Sequence, residues 1–326
     1  MPFSSVASNA ATSPNSATSP SAAVSPSPAA SPSPDTSPSP AASPSPTTSP
    51  SPAASPSPAT SLSALADFDF PTALVVSQCG QVLAQGGQVE SDFAFASVTK
   101  PLVAWAAAVA YERALLDLDA PVGPHLPGAS VRHLLAHASG VAPNDDSVLA
   151  APGTKRIYSN RGIELLGQAL EQATGYQLDQ WVELSVLEPL GLASILIPGS
   201  PAHSGVGNAL DLAAFTRELA APTLVSADTA KLFTSVAFPG LSGVLPGYGK
   251  QNPCDFALGF EVYGAKQPHW LSRAQSMQTF GHFGQAGSFI WVDPATGRSA
   301  AFLGAKPFSQ VHKRLWPLLN QQIATL

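Results

Sequence analysis

Read for its alternation of apolar and polar positions, the chain has a patternless start and a strongly patterned remainder. The patterned part opens with ALVVSQCGQVLAQGG, Ala73 to Gly87, two short apolar runs around Cys79-Gly80 that predict a β-hairpin. Next comes FASVTKPLVAWAAAVAYER, apolar along most of its length, which predicts a helix running to about Arg113. Pro101 locates its start. A proline well inside a helix costs about 3 kcal/mol but little in the first turn, so the helix begins within a residue or two of Ser97.

LLDLDAPVGPHLPG reads as a loop, and VRHLLAHA as a short helix stopped at Ser139-Gly140. RGIELLGQALEQATG carries Ile163, Leu166, Ala169, Leu170 and Ala173 at helical spacing and ends at Gly175. LDQWVELSVLEPLGL repeats that pattern up to Pro189, and DLAAFTRELA and SADTAKLFTSV predict two further helices. The period then changes. FALGFEVYG, HFGQAGSFIWVDP and GRSAAFLGA are strand-like, the last two joined through Asp293 to Gly297, and FSQVHKRLWPLLNQQI predicts a closing helix with Pro317 inside it. Strands at both ends and helices between them predict an α+β fold, one sheet built from both termini with a helical lobe inserted.

Composition separates the two parts. From Ser25 to Thr60 the chain is six hexamers of the form SPSPxx. Proline at every second position blocks helices and sheet ladders, so residues 1–64 are expected to be a disordered, polyproline-like tail, and residues 65–326 the folded domain. The formal charge is -6, and Lys and Arg are scattered with no basic cluster, which argues against nucleic acid as a partner. The longest apolar run, LVAWAAAVAY, is too short to span a bilayer. MPFSSVASNAATSP has neither a basic start nor an apolar h-region, which favours a cytoplasmic protein, with a cell-surface or periplasmic location as the alternative. Cys79 and Cys254 are too few for a disulfide framework or a zinc site; they could pair once, but two separate buried thiols are the favoured expectation.

For chemistry, there is no GxSxG elbow, HExxH, phosphate loop or dinucleotide turn. His133 and His137 at i and i+4 could share a metal, but no acidic or third histidine ligand stands near in sequence, so helix packing and loop hydrogen bonds are the expected roles. Ser97 and Lys100 differ. At a helix start they share one face, the partial positive charge of the terminus can stabilise an oxyanion, and a partly desolvated lysine can take the hydroxyl proton. IYSN adds Tyr158, a phenolic acid/base if a nearby ammonium lowers its pKa, and Asn160, which can orient the lysine or cap the helix. FGHFGQAGSF adds His282 beside a small loop at a strand edge, whose backbone N–H groups can complete an oxyanion hole.

SxxK, YxN and HxG in this order resemble the beta-lactamase-related serine hydrolases: class C beta-lactamases, penicillin-binding DD-peptidases and their esterase relatives. The resemblance covers Ala73 to Leu326 and includes LDLDAPVGPHLPG, VRHLLAHASGV, PGTKRIYSNRGIELLGQALEQATG, LEPLGL and FGHFGQAGSFIWVDP. It implies a beta-lactamase/transpeptidase-like fold, an antiparallel sheet flanked by terminal helices. It also implies Ser97 as the acylated nucleophile, Lys100 as the group that helps deprotonate it, Tyr158 as the shuttle to the leaving group, and Asn160 as a substrate and lysine holder. His282, Phe283 and Gly284 fall on the family's third motif, and Gln285 would give the second oxyanion N–H alongside Ser97.

Two positions depart from the family. His282 stands where class C lactamases have a lysine, and Phe283 stands where a hydroxyl usually grips the substrate carboxylate. The expected activity is therefore hydrolysis of small-molecule esters or amides through an acyl-enzyme on Ser97, foremost uncharged esters, by a monomer with no metal or organic cofactor. The alternatives are a weak class C-type beta-lactamase or D-Ala-D-Ala peptidase, and a non-catalytic module that binds acyl groups or penicillins.

Overall fold

The computed structural model of the protein describes residues 62–326, so the expectation for the tail lies almost wholly outside the described residues. Ser63 and Ala64, which composition assigns to the tail, instead belong to the folded body. They form a 3-10 turn, Ser63–Leu65, tied to the last helix through both ends of the Gln322 amide.

The expected first hairpin is formed by β1 (Thr72–Gln78) and β2 (Gln81–Gly87). Cys79 and Gly80 at its tip take φ of +47° and +80°, the left-handed backbone of a two-residue turn whose twist matches the strands. Cys79 is exposed and Cys254 buried, both free, so the expectation of two buried thiols holds for Cys254 alone. A short β3 (Phe93–Ala94) leads through the 3-10 turn Ala96–Val98 into α1 (Thr99–Glu112). Every residue of α1 from Thr99 to Ala110 is buried, so this helix is enclosed on all sides rather than amphipathic.

The helical lobe then runs through α2 (Val131–Leu135), α3 (Asn160–Thr174) and α4 (Leu178–Val182). On α3 the apolar stripe buries Ile163, Leu166 and Leu170, and Gly175 ends it at a φ of +76°. The helix expected over LDQWVELSVLEPLGL is interrupted. α4 widens into a π-turn, Glu183–Leu187, before the single turn α5 (Glu188–Leu190) that carries Pro189. The short β4 (Val206–Gly207) pairs with β3, followed by α6 (Ala209–Ala220) and α7 (Ala227–Thr234).

β5 (Gly243–Leu245) and β6 (Gly249–Gln251) form a small hairpin. FALGFEVYG yields only a two-residue strand, β7 (Glu261–Val262). Upstream of it the chain turns sharply, with Ala257 N–H donating to Phe260 O, and a Cβ on Gly259 would lie 2.0 Å from Ala104 Cβ of α1. Then come β8 (Phe280–Gly284), β9 (Ser288–Asp293), β10 (Arg298–Gly304) and the closing α8 (Gln310–Ala324).

The six-stranded sheet has the order β2-β1-β10-β9-β8-β7 and is antiparallel throughout, so both chain ends meet in its middle. Its central strands are apolar on both faces. Ala73, Val75, Ile290, Val292, Ala301 and Leu303 face a core shared with α1 and α6. The alternate residues Leu74, Val76, Phe289, Trp291, Ala300 and Phe302 face Trp316, Leu319 and Ile323 of α8. This three-layer α+β arrangement places the start of α1 against the free end of β8.

Candidate active site

The turn before α1 is held from outside the helix. Phe95 N–H donates to Gly205 O at 2.8 Å, and Gly205 N–H donates back to Thr99 Oγ1 at 2.8 Å. Ala96 takes a φ of +46°, a conformation that costs a non-glycine residue about 1–2 kcal/mol and that its surroundings enforce. The next residue is Ser97, 9% exposed, and one turn on is Lys100, 1% exposed. Lys100 Nζ donates to Ser97 Oγ at 3.1 Å, to Asn160 Oδ1 at 2.8 Å and to Ala202 O at 2.8 Å, which uses all three of its donors. Burial lowers its pKa to about 7 against the opposing pull of the Glu164 charge. A lysine that is half neutral near pH 7 and touches a hydroxyl can serve as that hydroxyl's base.

Tyr158 and Asn160 lie at the start of α3. Ser159 caps this helix, its Oγ accepting from Gly162 N–H at 2.8 Å, so Asn160 is the first helical residue rather than the cap. Asn160 Nδ2 donates to Asn144 Oδ1, which turns its carbonyl oxygen toward the lysine. Behind the motif, His137 Nδ1 accepts from Ser159 N–H and its ring lies 4.6 Å from that of Tyr158. His133 Nδ1 accepts from Ser130 N–H, so the two histidines serve loop and cap hydrogen bonds. The Tyr158 ring centroid lies 4.8 Å from Lys100 Nζ. The expectation of a lowered phenol pKa is corrected. Burial pushes it up strongly, the nearby Ser97 hydroxyl opposes this, and the Glu261 charge adds to the rise, so the phenol rests protonated.

β8 closes the other side. A Cβ on Gly284 would lie 2.1 Å from Phe95 O, so only glycine lets this strand reach the nucleophile turn, and Ser288 Oγ donates to Phe95 O at 2.6 Å to fix it there. Among the described residues neither the Ser97 nor the Gln285 backbone N–H has an acceptor, which leaves the pair expected for an oxyanion hole free. His282 Nδ1 contacts Phe283 O at 2.7 Å, which assigns the proton to Nδ1. Nε2 is then a bare acceptor, buried and without a partner among the described residues. Burial, with the Lys100 charge, lowers the His282 pKa to about 4, so this ring is neutral at physiological pH. Phe283 has two roles in the structure. It borders the cavity, but its ring belongs to the core under α8, packed against Tyr248, Trp270, Phe308 and Trp316, because strand alternation turns it away from His282.

These groups meet at one narrow cavity of about 90 Å³, bordered by Ser97, Tyr158, Asn160, His282, Phe283 and Gln285. Sequence reasoning missed a further wall residue, Glu261. It is 2% exposed and accepts from His269 Nε2 at 2.7 Å and Trp270 Nε1 at 2.9 Å, with Lys266 Nζ 3.5 Å away. Burial alone would raise its pKa, but the charges of His269 and Lys266 and these hydrogen bonds pull it below the usual carboxylate range. His269 Nδ1 accepts from Leu271 N–H and burial lowers its pKa, so His269 meets Glu261 as a hydrogen-bond donor through Nε2. Arg156 was missed too. It is buried, and its guanidinium donates to the carbonyls of Ala136, Ala237, Phe238 and Cys254, tying the loops behind the cavity together.

A serine touching a partly neutral lysine, with a phenol and free backbone donors around it, is the equipment of a serine hydrolase. The beta-lactamase family model matches residues 69–324, and the chain belongs to that family. A beta-lactamase from Mycobacterium bovis is 43% identical, with a TM-score of 0.79 over 81% of this chain and 98% of that one. EstCE1, described as a hydrolase with promiscuous acyltransferase activity, is 20% identical and shares the fold, with a TM-score of 0.66 over 80% of this chain and 96% of that one. An Escherichia coli O157:H7 protein provisionally described as a D-alanyl-D-alanine carboxypeptidase is 25% identical over 49% of this chain and 47% of its own. The chain thus spans about half the length of the curated relatives it matches. Among the described residues no helix is long and apolar enough to cross a membrane.

Proposed function

We propose that this protein is a monomeric esterase that cleaves small, uncharged esters through an acyl-enzyme on Ser97. The observation that carries the reading is the 3.1 Å contact between Lys100 Nζ and Ser97 Oγ in a buried site that lowers the lysine pKa to about 7. Neutral Lys100 takes the Ser97 proton as Oγ bonds to the ester carbonyl carbon. The Ser97 and Gln285 N–H groups receive the developing oxyanion. As the tetrahedral species collapses, the carbon–alkoxide bond breaks. The Tyr158 phenol gives its proton to the leaving oxygen and regains one from the Lys100 ammonium. Water then enters, loses a proton along the same relay, and releases the acid from Ser97.

The preference for uncharged esters rests on what borders the cavity. Among the described residues that border it the charged one is Glu261, Lys100 is turned to Ser97 Oγ and other acceptors behind the wall, His282 is neutral, and position 283 offers no hydroxyl to a carboxylate. Its volume of about 90 Å³ is well under the ~300–1,000 Å³ of pockets that enclose drug-sized ligands, which favours short acyl chains. The 43% identity to the M. bovis beta-lactamase supports slow lactam acylation as a second reading.

Both are tested by intact-mass spectrometry after exposure to a short-chain p-nitrophenyl ester and to a penicillin, wild type beside Ser97→Ala. The expected result is ester turnover through a transient acyl adduct that Ser97→Ala abolishes, with a slow or absent penicillin adduct. Ester turnover that survives in Ser97→Ala would sink the proposal, and rapid penicillin turnover would exchange the first reading for the second.

A further inference from the structure

The turn between β8 and β9 carries the Gln285 N–H, and the aim of that group is set from behind. Gly284 pairs with Ser288, which leaves Gln285, Ala286 and Gly287 as a three-residue hairpin loop. Gly284 O accepts from Gly287 N–H at 3.0 Å. That carbonyl and the Gln285 N–H belong to one planar peptide, so holding the oxygen inside the turn points the N–H out of it. Gln285 borders the cavity with Ser97, and its own carbonyl accepts from Phe308 N–H at 2.9 Å.

Gly287 ends the loop at a φ of +93°, the left-handed backbone such a loop takes at its last residue. A Cβ there would run into Lys306 O and lie 2.8 Å from His312 Nε2, so the edge of the His312 ring stands directly behind this glycine. The ring is fully buried and clasped by Phe70, Phe308 and Trp316, with centroids 5.2, 5.9 and 5.0 Å away. Its Nδ1 accepts from Ser309 N–H at 3.1 Å in the cap of α8, which leaves the proton of the neutral ring on Nε2. Among the described residues Nε2 has no partner. A buried donor left unpaired costs about 1–3 kcal/mol, and the cap needs only an acceptor, so neither packing nor capping accounts for a histidine here.

We propose that His312 is a positioning residue for the oxyanion hole: its Nε2 edge backs Gly287, which holds Gly284 O and thereby aims the Gln285 N–H at the carbonyl attacked by Ser97. This deepens the reading above and rests on Ser97 being the nucleophile. Phe283 anchors the strand, whereas His312 anchors the turn beyond it. With the ring edge removed, Gly287 gains room to settle backward, its hold on Gly284 O loosens, and the N–H tilts from where the anion forms. Substrate binds as before, and the transition state loses part of a hydrogen bond.

The test compares a neutral p-nitrophenyl ester with its thionoester, whose sulfur takes weaker hydrogen bonds from the hole. His312→Asn keeps an acceptor for the Ser309 N–H and removes the ring edge at Gly287. It should lower kcat for the ester about tenfold with KM little changed, short of the ~10²–10³ lost when a donor is removed outright. The thionoester should lose less, so the ester-to-thionoester ratio of kcat falls. Leu319→Ala, a truncation further along the same buried face of α8, should lower the urea midpoint and leave that ratio alone. His312→Gln makes the opposite exchange, placing an amide where Nε2 stands and giving up the cap acceptor. It should keep a ratio close to wild type, and it carries the test if His312→Asn does not fold. An unchanged ratio in His312→Asn, or a ratio that falls as far in His312→Gln or Leu319→Ala, would overturn this inference and leave the esterase reading intact. No ester turnover by wild type would overturn both.

Discussion

The start of α1 and the strand β8 border the same cavity, yet they are held in opposite ways. Around Ser97 and Lys100 almost every polar atom is spoken for. Lys100 has three acceptors, Thr99 Oγ1 bridges Ala96 O and Gly205 N, and Phe95 is fixed by Gly205 and Ser288. β8 is held by aromatic packing through Phe283, while among the described residues His282 Nε2 and the N–H of Gln285, just past its end, have no partner. One wall is preorganised by hydrogen bonds that set the chemistry, and the other is anchored from behind so that its free groups remain open to substrate. Damage on the first side should appear as lost rate, and damage on the second as lost stability.

Lys100→Met is the strongest break of that contrast. It removes the base and keeps the volume, so the rate of Ser97 acylation should drop about 10²–10⁴-fold while the fold persists, as read by stopped-flow ester kinetics. It also carries a stability signature. The folded-state pKa of Lys100 is about 7 against 10.5 for an ordinary lysine, so between those values the unfolded chain holds the extra proton. Stability from this group therefore rises with pH across that window and is lowest at and below about 7. Wild type should gain stability relative to Lys100→Met as pH rises from about 7 to about 10.5 in paired urea unfolding curves. Parallel curves would show that folding leaves the lysine pKa where it is in the unfolded chain.

Phe283→Ala reverses the pattern. Its ring is 4% exposed between Tyr248, Trp270, Phe308 and Trp316, and removing it leaves a void that β8 cannot fill without moving. The expected loss is about 3–5 kcal/mol in the free energy of unfolding, with a smaller effect on acylation than Lys100→Met. A stability change under ~1 kcal/mol would mean that the ring does not anchor the strand.

The difference between the walls also explains what was legible in the sequence. Ser97, Lys100, Tyr158 and Asn160 are readable because helix starts bring them to one place, and Pro101 marks the first of those starts. The first hairpin and the β9–β10 hairpin follow from local alternation and turn residues. The side-chain direction of Phe283 is not local. It depends on β8 pairing with β9 and on α8 covering one face, so the anchoring of this ring in the core could not be read from the sequence. Ala202 and Gly205 act through backbone atoms, which leave no residue signature at all. Glu261 sits on a strand of two residues in a segment too short to show a period, and its partners His269 and Trp270 are brought to it by a loop. FALGFEVYG and LDQWVELSVLEPLGL failed as continuous elements for a related reason. A turn packed against Ala104 and a π-turn ahead of Pro189 are imposed by what they pack on.

The finest test of the hydrogen-bonded wall is Asn160→Ala. It removes one of three acceptors from Lys100 and leaves Ser97 Oγ and Ala202 O in place. The amide oxygen holds the ammonium more tightly than the amine, because hydrogen bonds to charged donors are the stronger ones. Losing it therefore disfavours the charged form and lowers the lysine pKa further. In wild type, kcat/KM for a neutral ester should rise with pH through a midpoint near 7, where Lys100 loses its proton, with no fall until well into the alkaline range because the Tyr158 phenol stays protonated. In Asn160→Ala the midpoint should move to lower pH while the plateau falls about tenfold, since the amine is left with one fewer group aiming it at Ser97. A midpoint that stays in place with a lower plateau would assign Asn160 to substrate contact alone. A midpoint that moves up would show that the asparagine favours the neutral amine and that hydrogen bonding on this wall acts opposite to the sense argued here.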